Sequence, residues 1–228
     1  MTTRFLSRED LKILCMHLLT ERQNRAFASE YAEKLYRIQL RAIAVMTECL
    51  MGFPTIDELL SVRIRNMKIN FLDMNCGLKY VPPPIIGFNG VGPHATLNFL
   101  VKDRTGKIVN YSGVSHNDVY KCPLSAFVDI MVFRYHTDNL DDRWRKDPQD
   151  PSPYLFHNLR ENYTTLPIKD VERDIFAAMA ALGHKPDIDL IRESAMHNIV
   201  KEGFDRDDVM SRALAPPLPS DPKVLHHL

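Results

Sequence analysis

Leu50-Met51-Gly52-Phe53-Pro54-Thr55-Ile56-Asp57-Glu58-Leu59-Leu60-Ser61-Val62-Arg63 closes one helix and opens the next. Gly52 ahead of Phe53-Pro54 is a C-terminal stop, because glycine tolerates the left-handed cap and proline cannot continue a helix. Thr55 and Glu58 have the spacing of a capping box, the hydroxyl taking the N3 amide and the carboxylate reaching back. A short helix should therefore run from the cap to about Val62. Upstream, Phe27, Tyr31, Leu35, Ile38, Ala42, Val45, Met46 and Cys49 fall on one stripe, predicting a long helix from about Arg25 to Met51. Earlier still, Ser7-Arg8-Glu9-Asp10 reads as an N-cap with acids in the first turn, and Leu11, Leu14, Cys15 and Leu18 share one face.

Downstream the period changes from helical to alternating. Met67, Ile69 and Phe71 alternate with Lys68 and Asn70, as in a half-buried strand, and Leu78-Lys79-Tyr80-Val81 is a candidate partner. Pro82-Pro83-Pro84 with Gly87, Gly90 and Gly92 reads as a loop. Thr96 to Val101 is the strongest strand, and Asp103-Arg104-Thr105-Gly106 turns it back into Lys107 to Tyr111. After Cys122-Pro123, with proline at N1, a helix carries Leu124, Phe127, Val128, Met131, Val132 and Tyr135. The polar run 137–153 reads as an exposed loop. Further helices are predicted over 168–182, 187–202 and 205–214, the first two stopped by Gly183 and Gly203. No internal repeat is visible. The fold class is mainly α with a small antiparallel β-sheet (α+β): one domain over 1–214 and a proline-rich C-terminal arm over 215–228, where Pro216, Pro217, Pro219 and Pro222 forbid a helix.

The chain has 228 residues, 45% of them hydrophobic and 25% charged. That is globular composition and excludes collagenous, disordered and disulfide-scaffold classes. Lys and Arg number 29, as do Asp and Glu, so there is no overall basic charge to argue for nucleic acid. Charge is nonetheless uneven: residues 1–140 hold 17 basic and 13 acidic side chains, residues 141–228 hold 12 and 16. No apolar run is long enough for a membrane span, and the start lacks a signal-peptide core. Cys15, Cys49, Cys76 and Cys122 show no paired spacing. An intracellular, reducing compartment and no membrane partner are expected.

Nine histidines contain neither a His-Glu-x-x-His helix nor a Cys/His ligand cluster, so no metal is expected. Gly87-Phe88-Asn89-Gly90-Val91-Gly92 lacks the Gly-Lys-Thr or Gly-Lys-Ser of a phosphate loop and the helix of a dinucleotide fingerprint, so no cofactor is expected. No Gly-x-Ser-x-Gly elbow occurs. Asp57-Glu58, Asp141-Asp142 and Asp207-Asp208 lie in helix starts or polar loops, where capping and solvation account for them. What remains is basic side chains: Arg63, Arg65 and Lys68 where the capped helix meets the first strand, Lys102, Arg104 and Lys107 around the hairpin turn, and Arg192 on a later helix. Singly each reads as a solvated charge. Gathered on one rim they could neutralise several phosphates.

The order of these pieces resembles the catalytic domain of tyrosine recombinases. The run Phe5-Leu6-Ser7-Arg8-Glu9-Asp10-Leu11 looks like that family's first catalytic-domain helix. The stretch from Arg41 through Arg63 is similar to its apolar helix, turn and Ser-Glu-Leu helix. The hairpin with Lys102 and Lys107 sits where the family places a catalytic lysine, and Asp189-Leu190-Ile191-Arg192 through Val209 looks like the His-x-x-Arg helix and its successor. His116 to Phe127, followed by Phe133-Arg134-Tyr135, resembles fungal offshoots of the family: crypton-type transposon recombinases and the DNA-binding subunit of the point-centromere kinetochore complex.

The departures carry as much weight. Phe53-Pro54-Thr55 stands where the family's first arginine belongs, and Asp189 where its histidine belongs. The spacing from Arg192 to Ala195 is one residue short, and Val209-Met210-Ser211-Arg212 lacks the third motif's His or Trp. No tyrosine follows Tyr163, so the nucleophile is missing from its place. The resemblance thus implies a domain with no catalytic residues, a non-enzymatic protein of the nucleus. It would grip duplex DNA through Arg63, Arg65, Lys68, Lys102, Arg104, Lys107 and Arg192. Two other readings stand beside it. One is a protein-interaction module of the same fold, engaging a partner or a second copy through the C-terminal arm. The other is a fragment of an active recombinase.

Overall fold

The predicted capping box at Thr55 forms, and the predicted N-cap Ser7 proves to be half of a second one; together they fix where the chain enters two of its helices. Ser7 accepts from the Asp10 N–H while the Ser7 N–H donates to Asp10 Oδ2 at 2.9 Å, opening α1 (Arg8–Thr20). Thr55 accepts from the Glu58 N–H and donates its own N–H to Glu58 Oε2 at 2.7 Å, opening α3 (Ile56–Leu60). Each box satisfies amide donors that the first turn would otherwise leave without partners. The structure is a computed structural model. It describes residues 5–22, 26–50, 54–72, 94–102, 108–116, 118–137, 152–158, 161–187 and 189–212.

The long helix, α2, is Glu30–Cys49, shorter at its start than the predicted 25–51. Ser29 adopts an extended backbone and its hydroxyl caps the Ala32 N–H, so the helix cannot begin before it. The single predicted apolar stripe proves too narrow. Leu40, Ile43 and Ala44 are buried as well, and so are the polar Gln39, Arg41, Thr47 and Glu48, whereas Tyr31 is 64% exposed. The cause is enclosure: α1, α3 and further helices and a strand described below all pack on α2.

α3 ends at Leu60 rather than Val62, and a short turn of 3-10 helix (Ile64–Asn66) leads into β1 (Met67–Leu72). β2 (His94–Lys102) and β3 (Ile108–Val114) complete an antiparallel sheet of order β1-β2-β3. β2 and β3 pair antiparallel as predicted, with Phe99 opposite Tyr111; the turn at Asp103 to Gly106 lies outside the described residues. The partner of β1 differs from the prediction. It is β2, with Met67 opposite Phe99 and Ile69 opposite Leu97; Leu78–Val81 lies outside the described residues, as does the glycine loop. Leu97, Phe99, Val101 and Tyr111 turn inward to the core.

α4 (Pro123–Thr137) begins on the predicted proline, and the Cys122 sulfur accepts the Ser125 N–H at the helix start. Gly113 of β3 sits where a Cβ would fall 2.7 Å from Leu50 Cδ2 and 3.0 Å from Pro123 Cγ, so only glycine lets the strand approach both helices. The segment 137–153, read as an exposed loop, ends in buried Ser152 and Pro153; residues 138–151 lie outside the described set. A second, two-stranded sheet was not anticipated: β4 (His157–Asn158) pairs antiparallel with β5 (Glu161–Thr165). Two-residue strands carry too little alternation to be read from sequence.

α5 (Ile168–Ala181), α6 (Asp189–Lys201) and α7 (Arg206–Arg212) lie within a few residues of their predicted spans. Gly183 and Gly203 cap the first two at φ 79° and 99°. The main core runs from Leu6 and Leu14 through Ile43 and Phe99 to Phe156 and Ile175, and a satellite of Ala195, Met196 and Val209 joins α6 to α7. No described helix is long and apolar enough to cross a membrane.

Arg41, 2% exposed, is the cation this enclosure must satisfy. It pairs with Asp129 of α4 and donates to the Val119 carbonyl, tying α2 to α4 and to the loop before it. Removing one partner of a buried pair leaves an uncompensated charge. Asp129 is 46% exposed on its side chain, so the cost is discounted. Asp129→Ala is expected to lower the unfolding free energy by about 1–3 kcal/mol in urea denaturation.

Candidate nucleic-acid interface

The cations predicted at the sheet rim differ in what they are free to do. Arg63 follows α3 in an extended conformation and bridges antiparallel to Tyr154. Its Nη1 donates to the Ser152 carbonyl at 2.5 Å, its Nη2 donates to the Tyr154 hydroxyl at 2.9 Å, and its guanidinium lies 4.1 Å above the Tyr154 ring. Main-chain bonds extend the contact: Leu155 N–H to Val62 O at 2.9 Å and Ile64 N–H to Pro153 O at 3.0 Å. Arg63 is thus held by the segment 152–155 and latches it to the start of the sheet. A planar fork that stacks and donates at once suits this place, and a lysine would not.

Arg65, in the 3-10 turn, is half-buried and its backbone N–H donates to Ser152 Oγ at 2.9 Å. Lys68 is exposed on β1. Lys102 ends β2 opposite Ile108; its side chain, and all of Arg104 and Lys107, lie outside the described residues. Arg192 is half-buried on α6, and neither it nor Arg65 is without a partner. α6 packs on α2, α7 and α1, while the sheet packs on α4, α3 and the end of α2. So Arg63, Arg65 and Lys68 are brought together along one run of chain, and Arg192 stands on a helix whose common neighbour with the sheet is α2.

The outer face of the sheet holds residues that a search for cations overlooks. Alternation along β1, β2 and β3 places Lys68, Asn98 and Ser112 in one cross-strand row, with Leu100 and Asn110 paired in another. Lys68, Leu100 and Asn110 are exposed, and Thr96, Asn98 and Ser112 are half-buried. Asn98 Nδ2 donates to Thr96 Oγ1 at 3.0 Å, leaving the amide oriented within the face. The signal was in the sequence: Thr96, Asn98 and Leu100 occupy the phase of β2 opposite to the buried Leu97, Phe99 and Val101.

Two of the positions that the family resemblance singles out carry local structural roles. Thr55, in the turn where an arginine would be expected, is the N-cap of α3 beside buried Pro54. Asp189 is exposed in the first turn of α6, where a carboxylate favours the helix dipole. Among the described residues no group of three or more His, Cys, Asp or Glu could hold a metal.

No protein-family model matches the chain, and neither does any curated protein. Among solved structures the chain is similar to the XerH site-specific recombinase bound to its difH substrate in a pre-cleavage complex. The TM-score is 0.52 at 12% identity, over 100% of this chain and 55% of that one. The fold is therefore mainly α with a small antiparallel sheet, of the kind seen in tyrosine-recombinase catalytic domains. The chain spans about half the length of the recombinase it matches.

Arg63 offers a direct check on its place in the latch. Arg63→Lys keeps the charge but loses the fork and the stacking, and is expected to cost about 1–2 kcal/mol of unfolding free energy in chemical denaturation. A side chain that served only a phosphate would leave the midpoint unmoved.

Proposed function

We propose that the chain is a non-enzymatic DNA-binding protein, a catalytically degenerate relative of the tyrosine recombinases that grips duplex DNA through its phosphates. The observation that carries this reading is the outer face of the β1-β2-β3 sheet, where exposed Lys68 stands in a row of uncharged hydrogen-bonding side chains rather than beside carboxylates. A cation set among amides and hydroxyls suits a phosphate backbone: the charge supplies affinity, and the neutral donors add contacts without repelling it. The fold supports it, being shared with a site-specific recombinase on its substrate. The N-cap Thr55 and the exposed Asp189, standing where the resemblance expects an arginine and a histidine, support a role without cleavage. Lys68, Arg65, Lys102, Arg104, Lys107 and Arg192 are the proposed contacts, with Arg63 shaping the rim from its latch on Tyr154. A nuclear role in chromosome or kinetochore attachment, or in a protein of transposon descent, fits such a domain.

A second reading is favoured by two observations: the zero net charge and the engagement of Arg63 within the fold. It is a protein-interaction module of this fold, using the C-terminal arm toward a partner or a second copy.

Fluorescence anisotropy with random duplex DNA separates the two. For these six phosphate contacts, the affinity should fall about 2,000-fold between about 50 mM and about 200 mM salt, and Lys68→Ala should reduce the salt slope by about one. Absence of binding at the lower salt defeats the DNA reading and leaves the interaction module. A suicide DNA substrate is expected to yield no covalent adduct, and an adduct would overturn the non-enzymatic assignment.

A further inference from the structure

Residues 5–8 run along a single face of α6 and grip it at four successive points. The Leu6 N–H donates to Ser194 Oγ at 2.9 Å, and Asn198 Nδ2 donates to the Leu6 carbonyl at 3.0 Å. The Phe5 ring stacks on His197, with centroids 4.4 Å apart and planes 15° from parallel. Arg8 closes the strap, its Nε and Nη2 holding the two carboxylate oxygens of Glu202 at 2.5 and 2.8 Å. Ser194, His197, Asn198 and Glu202 recur at helical spacing, so one strip of α6 and the turn just beyond it carry every contact.

The same guanidinium has a second claimant. Arg8 Nη1 lies 3.9 Å from Oε1 of Glu48 on α2, a side chain 1% exposed. Among the described residues, neither oxygen of Glu48 accepts a hydrogen bond. Arg8 therefore makes a well-formed fork with a surface carboxylate and only a long contact with a buried one. A buried carboxylate lacking donors is costly when charged and comfortable when protonated.

We propose that residues 5–8 are a pH-operated strap in which buried Glu48, on losing its proton to solvent, competes with Glu202 for Arg8 and loosens the hold on the end of α6. With Glu48 protonated, Arg8 stays on Glu202 and the strap is closed. With Glu48 ionised, no described side chain other than Arg8 forms an ion pair with it, and the guanidinium can serve it fully only by giving up its fork with Glu202. Burial pushes the Glu48 carboxyl up to about 7. Arg8 from α1 and Lys121 from the loop before α4 pull it down, while Asp118 of that loop and Glu202 push it up. Cys15 of α1 and Cys49 beside it on α2 also face it, both held as thiols by burial. Asp118 is itself neutralised by Lys12 at 2.8 Å. The sign follows from linkage. The folded chain retains a proton that the unfolded chain gives up in the ordinary carboxylate range, so stability is full below that range and declines as pH rises through about 7.

Amide hydrogen exchange on the full chain, from about pH 5.5 to about pH 8.5 and corrected for intrinsic exchange, tests the strap without reference to any ligand. Protection over the last turns of α6 should fall several-fold in one step near neutrality. In Glu48→Gln, a neutral isostere, the profile should be flat. In Glu202→Gln the fork is missing at every pH, so protection over the last turns of α6 should be lowered throughout and show no step. A flat wild-type profile overturns the proposal, as does a step that survives in Glu48→Gln. Should Glu48→Gln fail to fold, Glu202→Gln decides alone: a step near neutrality that survives without the fork refutes the competition.

Discussion

A helix enclosed over most of its length asks other elements for partners to its buried polar residues, and α2, from Leu35 onward, imposes that demand on the whole fold. Arg41 is answered by Asp129 and the Val119 carbonyl, Tyr36 by Asp174 of α5 at 2.7 Å, and the Cys49 thiol donates to the Lys121 carbonyl at 3.1 Å. Each of these bonds fixes a different neighbour on the same rod. α4, α5 and the loop at 118–122 are positioned by polar complementarity as well as by apolar burial. Burial is non-directional and would tolerate sliding; a buried charge does not.

The surroundings of α2 also divide its own polar groups into satisfied and unsatisfied. Arg41 has two partners, whereas Glu48 shares one cation with a surface rival. That imbalance places a titrating group at the junction of α1, α2 and α6, the helix that bears Arg192. The strap at residues 5–8 spans that junction and is part of the support for α6.

At the sheet, the tertiary structure redistributes roles among residues of the same type. Arg63 and Lys68 are close in sequence and equally charged. One is stacked on Tyr154 and bonded to the Ser152 carbonyl, and the other is exposed. The latch made by Arg63 holds the segment 152–155, and fully buried Arg134 of α4 donates to the Tyr154 carbonyl of the same segment. Two arginines thus secure one stretch of backbone, and the polar outer face of the sheet stands beside it with Lys68 exposed.

The capping box at Thr55, the N-cap at Ser7, the proline at the start of α4, the glycine stops at Gly183 and Gly203 and the antiparallel β2-β3 pairing were determined by the sequence alone. They depend on groups within a few residues of one another, so spacing is sufficient information. The mainly helical order with a small inserted sheet was legible for the same reason, as was the set of cations, though not their roles. Only the tertiary structure decided that β1 pairs with β2, that α2 is buried on its polar side too, and that Arg63 belongs to Tyr154. The last contact joins residues 91 positions apart. Nothing local in the chain marks such a pair, because its energy comes from desolvation and stacking that exist only once distant segments have closed around it.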